Sequence, residues 1–318
     1  MTNRSVILLS GESTTLPMAE AKALFSAYDP SSKFWSPEDR VLIAESKTDP
    51  SRVARRIAFA RRVGVLVDDP ASLAQALRGK KIRVRTFSLK GAKPSEGVYD
   101  LLEGLDVSVD LGNPDFEFTV VEGAQRYVVL SNPSMMNQSW SLRRPRRRAF
   151  FHPSAIFPKL SRALVNLTRC KEGQRFLDPF CGTGSIPIEA AAVGLEVVAA
   201  DRSSEMVRGA LANMKLFKQS WLGVLKSDAF QPPLSSVDGI ATDVPYGRAA
   251  STRGRGASDV IRLATESLPS VLIEGSIMVL MHPEQLPVES TRELSVLEEH
   301  RLYIHKRLTR VITILRRR

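Results

Sequence analysis

The sequence is poor in thiols and imidazoles: its 318 residues hold two cysteines, Cys170 and Cys181, and four histidines. Two cysteines so close together make neither a disulfide framework nor a four-ligand zinc site. His152, His282, His300 and His305 lack the spacing of a metal centre. A metal-free protein of a reducing compartment is expected. Long apolar runs are also missing. No stretch approaches the ~18 residues that a membrane-spanning helix needs, and residues 1–11 are too short for a secretory signal. The expected location is cytoplasmic, with no membrane contact. There is no G-x-S-x-G elbow, no Walker-type phosphate loop and no complete G-x-G-x-x-G turn. A serine-elbow nucleophile, a P-loop and a nicotinamide-binding turn are all disfavoured.

Basic residues are in excess, 45 Lys and Arg against 34 Asp and Glu, for a formal net charge of +11. Such a charge favours a polyanionic partner. With 43% hydrophobic and 25% charged residues, the composition is that of a folded globular chain. At about 150 residues per domain, the length points to two. Composition changes most sharply at 143–148, where five arginines surround Pro145, which blocks a regular helix. The expected division is a mixed α and β part over 1–142, a basic linker over 143–153 and a regular α/β part over 154–318. The arginine run is either a solvated tether or a phosphate contact.

In the first part, 6–10 reads as a strand and 16–28 as a helix. Residues 51–67 read as another helix, with Val53, Ile57, Ala60 and Val63 at helical spacing. Residues 81–88 alternate like a strand and place Arg83 and Arg85 on an exposed face, either simply solvated or facing RNA, while 116–121 and 126–130 flank Gly123 as a hairpin. In the second part, 154–169 reads as a helix that tolerates Pro158 in its first turn. Strand signals at 175–179, 196–200, 223–228, 237–243 and 275–281 then alternate with helix signals at 184–193, 203–217 and 259–273, followed by strand-like 302–305 and 311–315. Alternation of this kind predicts an α/β fold, a parallel sheet with helices on both faces.

Four acids fall at the carboxyl ends of predicted strands: Asp178, Asp201, Asp228 and Asp243. Ligands of open α/β sheets bind at that edge, so the four converge on one crevice. The first opens Asp178-Pro-Phe-Cys-Gly-Thr-Gly184, a glycine turn before a helix. Its acid repels a pyrophosphate and suits a cofactor carrying an amino-acid moiety and a sulfonium. Asp201 is placed to accept from ribose hydroxyls or, alternatively, to cap the next helix. Asp228 is placed to hold an adenine amino group or to be an ordinary turn acid. In Asp243-Val-Pro-Tyr-Gly247, Asp243 and the Val244 carbonyl offer acceptors to an exocyclic purine amine, Pro245 stiffens the turn and Tyr246 offers a stacking face. Without the other three acids it would read as a proline-glycine surface turn.

The DPFCGTG turn and the later DVPYG segment resemble class I S-adenosylmethionine-dependent methyltransferases of the amino-methylating branch. Read with RPRRRAFFHPS at 144–154, with 58–64 and 109–118, and with the Gly- and Arg-rich stretch 248–258, the chain is similar to archaeal tRNA guanosine-10 N2-methyltransferases. The resemblance implies a Rossmann-like catalytic domain and an α+β amino-terminal domain containing a THUMP module for RNA. It also implies S-adenosyl-L-methionine as cofactor, held by His152, Asp178, Phe180, Gly182, Thr183, Gly184, Asp201 and Asp228, with Phe151 close by. Asp243 and Tyr246 are the implied catalytic pair; Val244, Pro245, Arg143, Arg144 and Arg146 are the implied contacts to a tRNA substrate, and 248–258 lies near the target base. Val244 stands where the family has a proline, which makes the turn less rigid. A monomer forming N2-methylguanosine or its dimethyl product is expected. An N6-adenine methyltransferase and a non-catalytic RNA-binding adaptor are the alternatives.

Overall fold

Val6, Ile7, Leu8 and Leu9 are all buried, so the first strand is covered on both faces. In the computed structural model the described residues are 3–89, 91–92, 97–136, 139–232, 234–245, 256–305 and 308–318. The chain divides into two units, Met1–Gln138 and Ser139–Arg318. No helix among the described residues is long and apolar enough to cross a membrane.

The first unit runs β1 (Asn3–Leu9), α1 (Leu16–Tyr28), β2 (Lys33–Glu38), β3 (Val41–Ser46), α2 (Pro50–Arg56), β4 (Ala60–Leu66), α3 (Ala74–Leu77), β5 (Lys80–Ser88), β6 (Val107–Val109), β7 (Phe116–Glu122) and β8 (Arg126–Ser131). Its eight strands form one sheet in the order β2-β3-β1-β4-β8-β7-β5-β6. Ile7 and Leu9 pack with Leu24 and Phe25 of α1 and with Val53 of α2. Val6 and Leu8 pack with Val41, Ile43 and Val129 on the other face.

The helix expected over 51–67 is two elements. Asp49 caps α2, accepting from the Ser51 N–H at 2.8 Å. The helix stops at Ile57 because the buried Glu20 carboxylate takes the N–H groups of Ala58 and Phe59, at 2.9 and 2.8 Å. The chain then pairs with β1, and a register shift between Leu8 and Leu9 makes Arg61 an extra residue. The arginines expected on an exposed face of β5 are tied to a carboxylate. The fully buried Glu117 carboxylate holds Arg62, Arg83 and Arg85; Arg85 keeps about half of its surface. Burial pushes Glu117 up, but the cations win and hold it below its ordinary value.

The second unit opens with short 3-10 turns at Trp140–Arg143 and Pro145–Arg147. It continues through α4 (Pro158–Leu167), β9 (Arg175–Asp178), α5 (Ser185–Ala192), β10 (Glu196–Asp201), α6 (Ser204–Leu216), β11 (Gly223–Lys226), β12 (Val237–Asp243), α7 (Ala257–Ser267), β13 (Leu272–Pro283), β14 (Leu294–His305) and β15 (Leu308–Arg317). The helix expected from 154 starts at Pro158, because proline suits a first helical turn and has no N–H to donate further in. Seven strands form a sheet in the order β11-β10-β9-β12-β13-β15-β14. The first five run parallel, and β15 pairs antiparallel with both β13 and β14. The order reverses between β9 and β12, which opens a crevice at their carboxyl ends.

The basic run does not hang free as a linker. Arg143 binds the buried Glu189 of α5 through two nitrogens, at 2.6 and 3.3 Å. Arg162 of α4 binds the same carboxylate at 2.7 Å, and both guanidinium groups stack on Trp140. Arg148 is buried, donating to the Ser185 hydroxyl at 2.6 Å and the Ile156 carbonyl at 3.2 Å. Burial lowers its pKa to about 10. Arg144, Arg146 and Arg147 remain exposed.

Candidate functional site

Asp178, Asp201 and Asp243 each end a strand, and Asp228 lies two residues beyond β11. Since β11, β10, β9 and β12 are consecutive neighbours, the four acids stand in a row along one sheet edge. They differ sharply in surroundings.

Asp178 is buried, and its Oδ1 accepts from the Thr242 hydroxyl at 2.6 Å and from the Phe180 N–H at 3.2 Å. Burial pushes its pKa up to about 8, opposed by those two bonds and reinforced by the charges of Asp201 and Asp243. Asp201 bridges the glycine turn and the next helix: Oδ2 accepts from the Gly182 N–H at 2.9 Å, and Oδ1 from the Ser203 N–H at 2.8 Å. The cap of α6 is Ser203, whose hydroxyl accepts from Met206. Asp228 accepts from the Phe230 N–H at 3.1 Å, which is also the geometry of a turn acid.

The glycine turn depends on backbone conformations that side chains disfavour. Gly182 and Gly184 have φ of +50° and +81°. A Cβ on Gly184 would press on Ala210 of α6, whereas one on Gly182 would enter open space. The turn thus keeps room above Gly182 for a ligand. Thr183 is buried, with its hydroxyl toward Ser185 rather than the crevice. Phe180 sets its ring edge-on to Phe230 and packs on the core. Cys181 is also buried, and burial together with Asp178 and Asp201 raises its thiol well above the ordinary value, leaving no thiolate nucleophile.

Asp243 closes the row. Its Oδ2 accepts from Nη1 of Arg310 at 2.9 Å, while Oδ1 is shielded from water and has no hydrogen-bond partner among the described residues. Burial pushes its pKa up to about 6, with Arg310 pulling down. Val244 is buried and donates its N–H to the Met281 carbonyl. The expected loss of rigidity at Val244 is therefore corrected: a bond that proline lacks holds this turn. Pro245 follows and is half-buried; Tyr246 and 248–255 lie outside the described residues.

Sequence reasoning missed Arg310, Asn213 and Gly209. The Asn213 side chain clamps Phe150, accepting from its N–H at 2.8 Å and donating to its carbonyl at 2.9 Å; the same amide nitrogen donates to the Thr183 carbonyl at 2.9 Å. Segment 150–152 is thereby fixed beside the glycine turn. His152 is half-buried, with Nδ1 2.8 Å from the Ser154 hydroxyl. Of the arginines assigned to substrate, Arg143 binds Glu189 through Nε and Nη2. Among the described residues no three His, Cys, Asp or Glu side chains gather as a metal site.

A sheet parallel through five strands, closed by an antiparallel pair and reversing order above a glycine turn, is the architecture of class I methyltransferases. Residues 145–310 match the family described as UPF0020, RMKL-like, methyltransferase domain. The tRNA (guanine(10)-N2)-dimethyltransferase of Methanothermobacter thermautotrophicus is 31% identical over 332 residues, covering 98% of this chain and 99% of that one. The Pyrococcus abyssi protein of the same name is 28% identical, covering 94% and 95%. The chain belongs to the archaeal tRNA (guanine(10)-N2)-dimethyltransferase family. Its fold is also that of TrmN from Thermus thermophilus, with a TM-score of 0.52, 18% identity and coverage of 99% and 100%.

Proposed function

We propose that this protein methylates N2 of a guanosine in tRNA, at position 10, using S-adenosylmethionine. The shielded Oδ1 of Asp243, without a partner among the described residues, carries the reading, because a buried carboxylate oxygen lacking a donor fits an incoming amine. The residues present also fit the cofactor: open space above Gly182, the Asp178 carboxyl at the end of β9 and Asp201 beside the turn. Asp178 and the glycine turn hold its amino-acid end, Asp201 its ribose and Asp228 its adenine; His152 lies alongside. When bound, the cofactor supplies an electrophilic methyl on a sulfonium.

The guanine amine is a weak nucleophile because its lone pair is delocalised into the ring. Asp243 Oδ1 and the Val244 carbonyl accept its two N–H bonds, which favours pyramidal nitrogen, and Asp243 takes the released proton. Tyr246 stacks on the extruded base, for which unstacking costs a few kcal/mol. Product that re-enters becomes N2,N2-dimethylguanosine. The first unit acts as a THUMP-containing RNA-binding domain, its end four residues earlier than the 142 expected from sequence, and Arg144 and Arg146, both exposed, contact phosphate.

The test is to incubate the protein with unmodified tRNA and labelled methyl donor, then to identify the product by nucleoside mass spectrometry. N2-methylguanosine is expected, reduced about 100- to 10,000-fold in Asp243→Ala. N6-methyladenosine instead would mean the adenine alternative. Cofactor binding without incorporation would mean the adaptor, and full turnover in Asp243→Ala would refute the role of Asp243.

A further inference from the structure

Asp243 and Arg310 are 67 positions apart and belong to strands that are not paired with each other. Asp243 pairs in register with Met281 of β13, while Arg310 pairs two residues further on, with Pro283. Side chains two apart along a strand share a face. Arg310 therefore reaches diagonally over Met281, with Nη1 3.8 Å from its sulfur, and ends 2.9 Å from Asp243 Oδ2. The two side chains are 15% and 17% exposed, so this is a largely desolvated pair rather than a surface salt bridge. The charge-assisted bond to Oδ2 restrains that oxygen on the side of the carboxylate facing Arg310.

We infer that Arg310 is a positioning residue for methyl transfer: it anchors Oδ2 of Asp243 so that Oδ1 alone is presented to the substrate amine. The inference rests on the methyltransferase reading above. It has an electrostatic corollary. Asp243 faces Arg310 from β15 and, beyond Thr242, the Asp178 carboxyl of β9. Burial disfavours the Asp243 carboxylate and Arg310 opposes that push. Without Arg310, the carboxylate is both free to turn and more readily protonated.

The test compares Arg310→Gln and Arg310→Lys with the native protein in steady-state methylation of unmodified tRNA over a pH series. Arg310→Gln is expected to move the acid limb of kcat up by about one pH unit from the native value of about 6, which lowers kcat by about twofold at neutral pH and by about tenfold below the native limb. Rate should partly recover in alkaline buffer, with KM for tRNA and cofactor changed less than about twofold. Arg310→Lys, which keeps a cation, should show a smaller displacement and tests the idea even if the glutamine variant folds poorly. Carbon-13 NMR titration of the Asp243 carboxyl should show the same order without any turnover. A merely structural ion pair would lower thermal stability and move the carboxyl titration while leaving the acid limb of kcat in place, which overturns the proposal. Failure of the underlying reading looks different: the native protein itself would not methylate guanosine, while the carboxyl titration would still move.

Discussion

Val244 donates its backbone N–H to the carbonyl of Met281 at 2.9 Å. Asp243 already pairs with Met281, so this bond carries the β12–β13 contact past the end of the strand. The Val244 side chain is 1% exposed and packs near Phe180 and Phe230. Val244→Pro deletes the donor and is expected to destabilise the protein by about 1 kcal/mol, lowering Tm by roughly 2–4 °C in calorimetry. An unaltered Tm would mean that the bond contributes nothing.

Asp178 makes stability depend on pH in an unusual direction. Its folded pKa of about 8 lies above the ordinary carboxylate range, so the folded state retains a proton that the unfolded chain releases. Its contribution to stability is therefore present in acid and declines as pH rises toward about 8. Asp178→Asn removes this decline. Denaturant titrations should find the variant increasingly more stable than the native protein up to that pH and level beyond it, while calorimetric titration finds S-adenosylmethionine binding lost. A stability difference constant with pH would refute the burial argument.

Gly209 of α6 lies against the Phe150 ring, and a Cβ there would overlap it. Gly209→Ala should push segment 150–152 away from the glycine turn, weakening cofactor binding more than its effect on unfolding would explain. Titration calorimetry paired with thermal unfolding separates the two, and native cofactor affinity in the variant would sink this account.

Arginines within one short run should behave as two classes. Arg144→Ala combined with Arg146→Ala should weaken tRNA binding and flatten its salt dependence by roughly one logarithmic unit of slope per lost phosphate contact. Arg143→Ala should instead lower Tm, since it strips one of the two guanidinium groups from buried Glu189. Filter binding across a salt series checks the first and calorimetry the second; an identical salt response in the double variant would exclude Arg144 and Arg146 as contacts.

Strand ends carried most of what the sequence disclosed. Apolar runs before Asp178, Asp201 and Asp243 fix both the strands and the direction in which those acids emerge. Asp228 follows the same rule less closely, two residues beyond its strand. What escaped depends on contacts between distant positions. Nothing local in 51–67 shows that Glu20, nearly forty residues earlier, takes the N–H groups of Ala58 and Phe59. Alternation in β5 shows which way Arg83 and Arg85 point, but not that Glu117 waits for them on a neighbouring strand. Arg310 looked like any cation near the end of a basic chain until strand order brought it over Met281.

The tie between Arg143 and Glu189 has a practical consequence for dissection of the molecule. A catalytic fragment excised from residue 154 onward would discard Trp140, Arg143, Arg148 and Phe150, leaving the Glu189 carboxylate facing Arg162 alone and the Asn213 amide without its clamp partner. Truncation at Ser139 keeps all of these, so the shortest piece worth purifying begins well upstream of the helix that looks like its natural start.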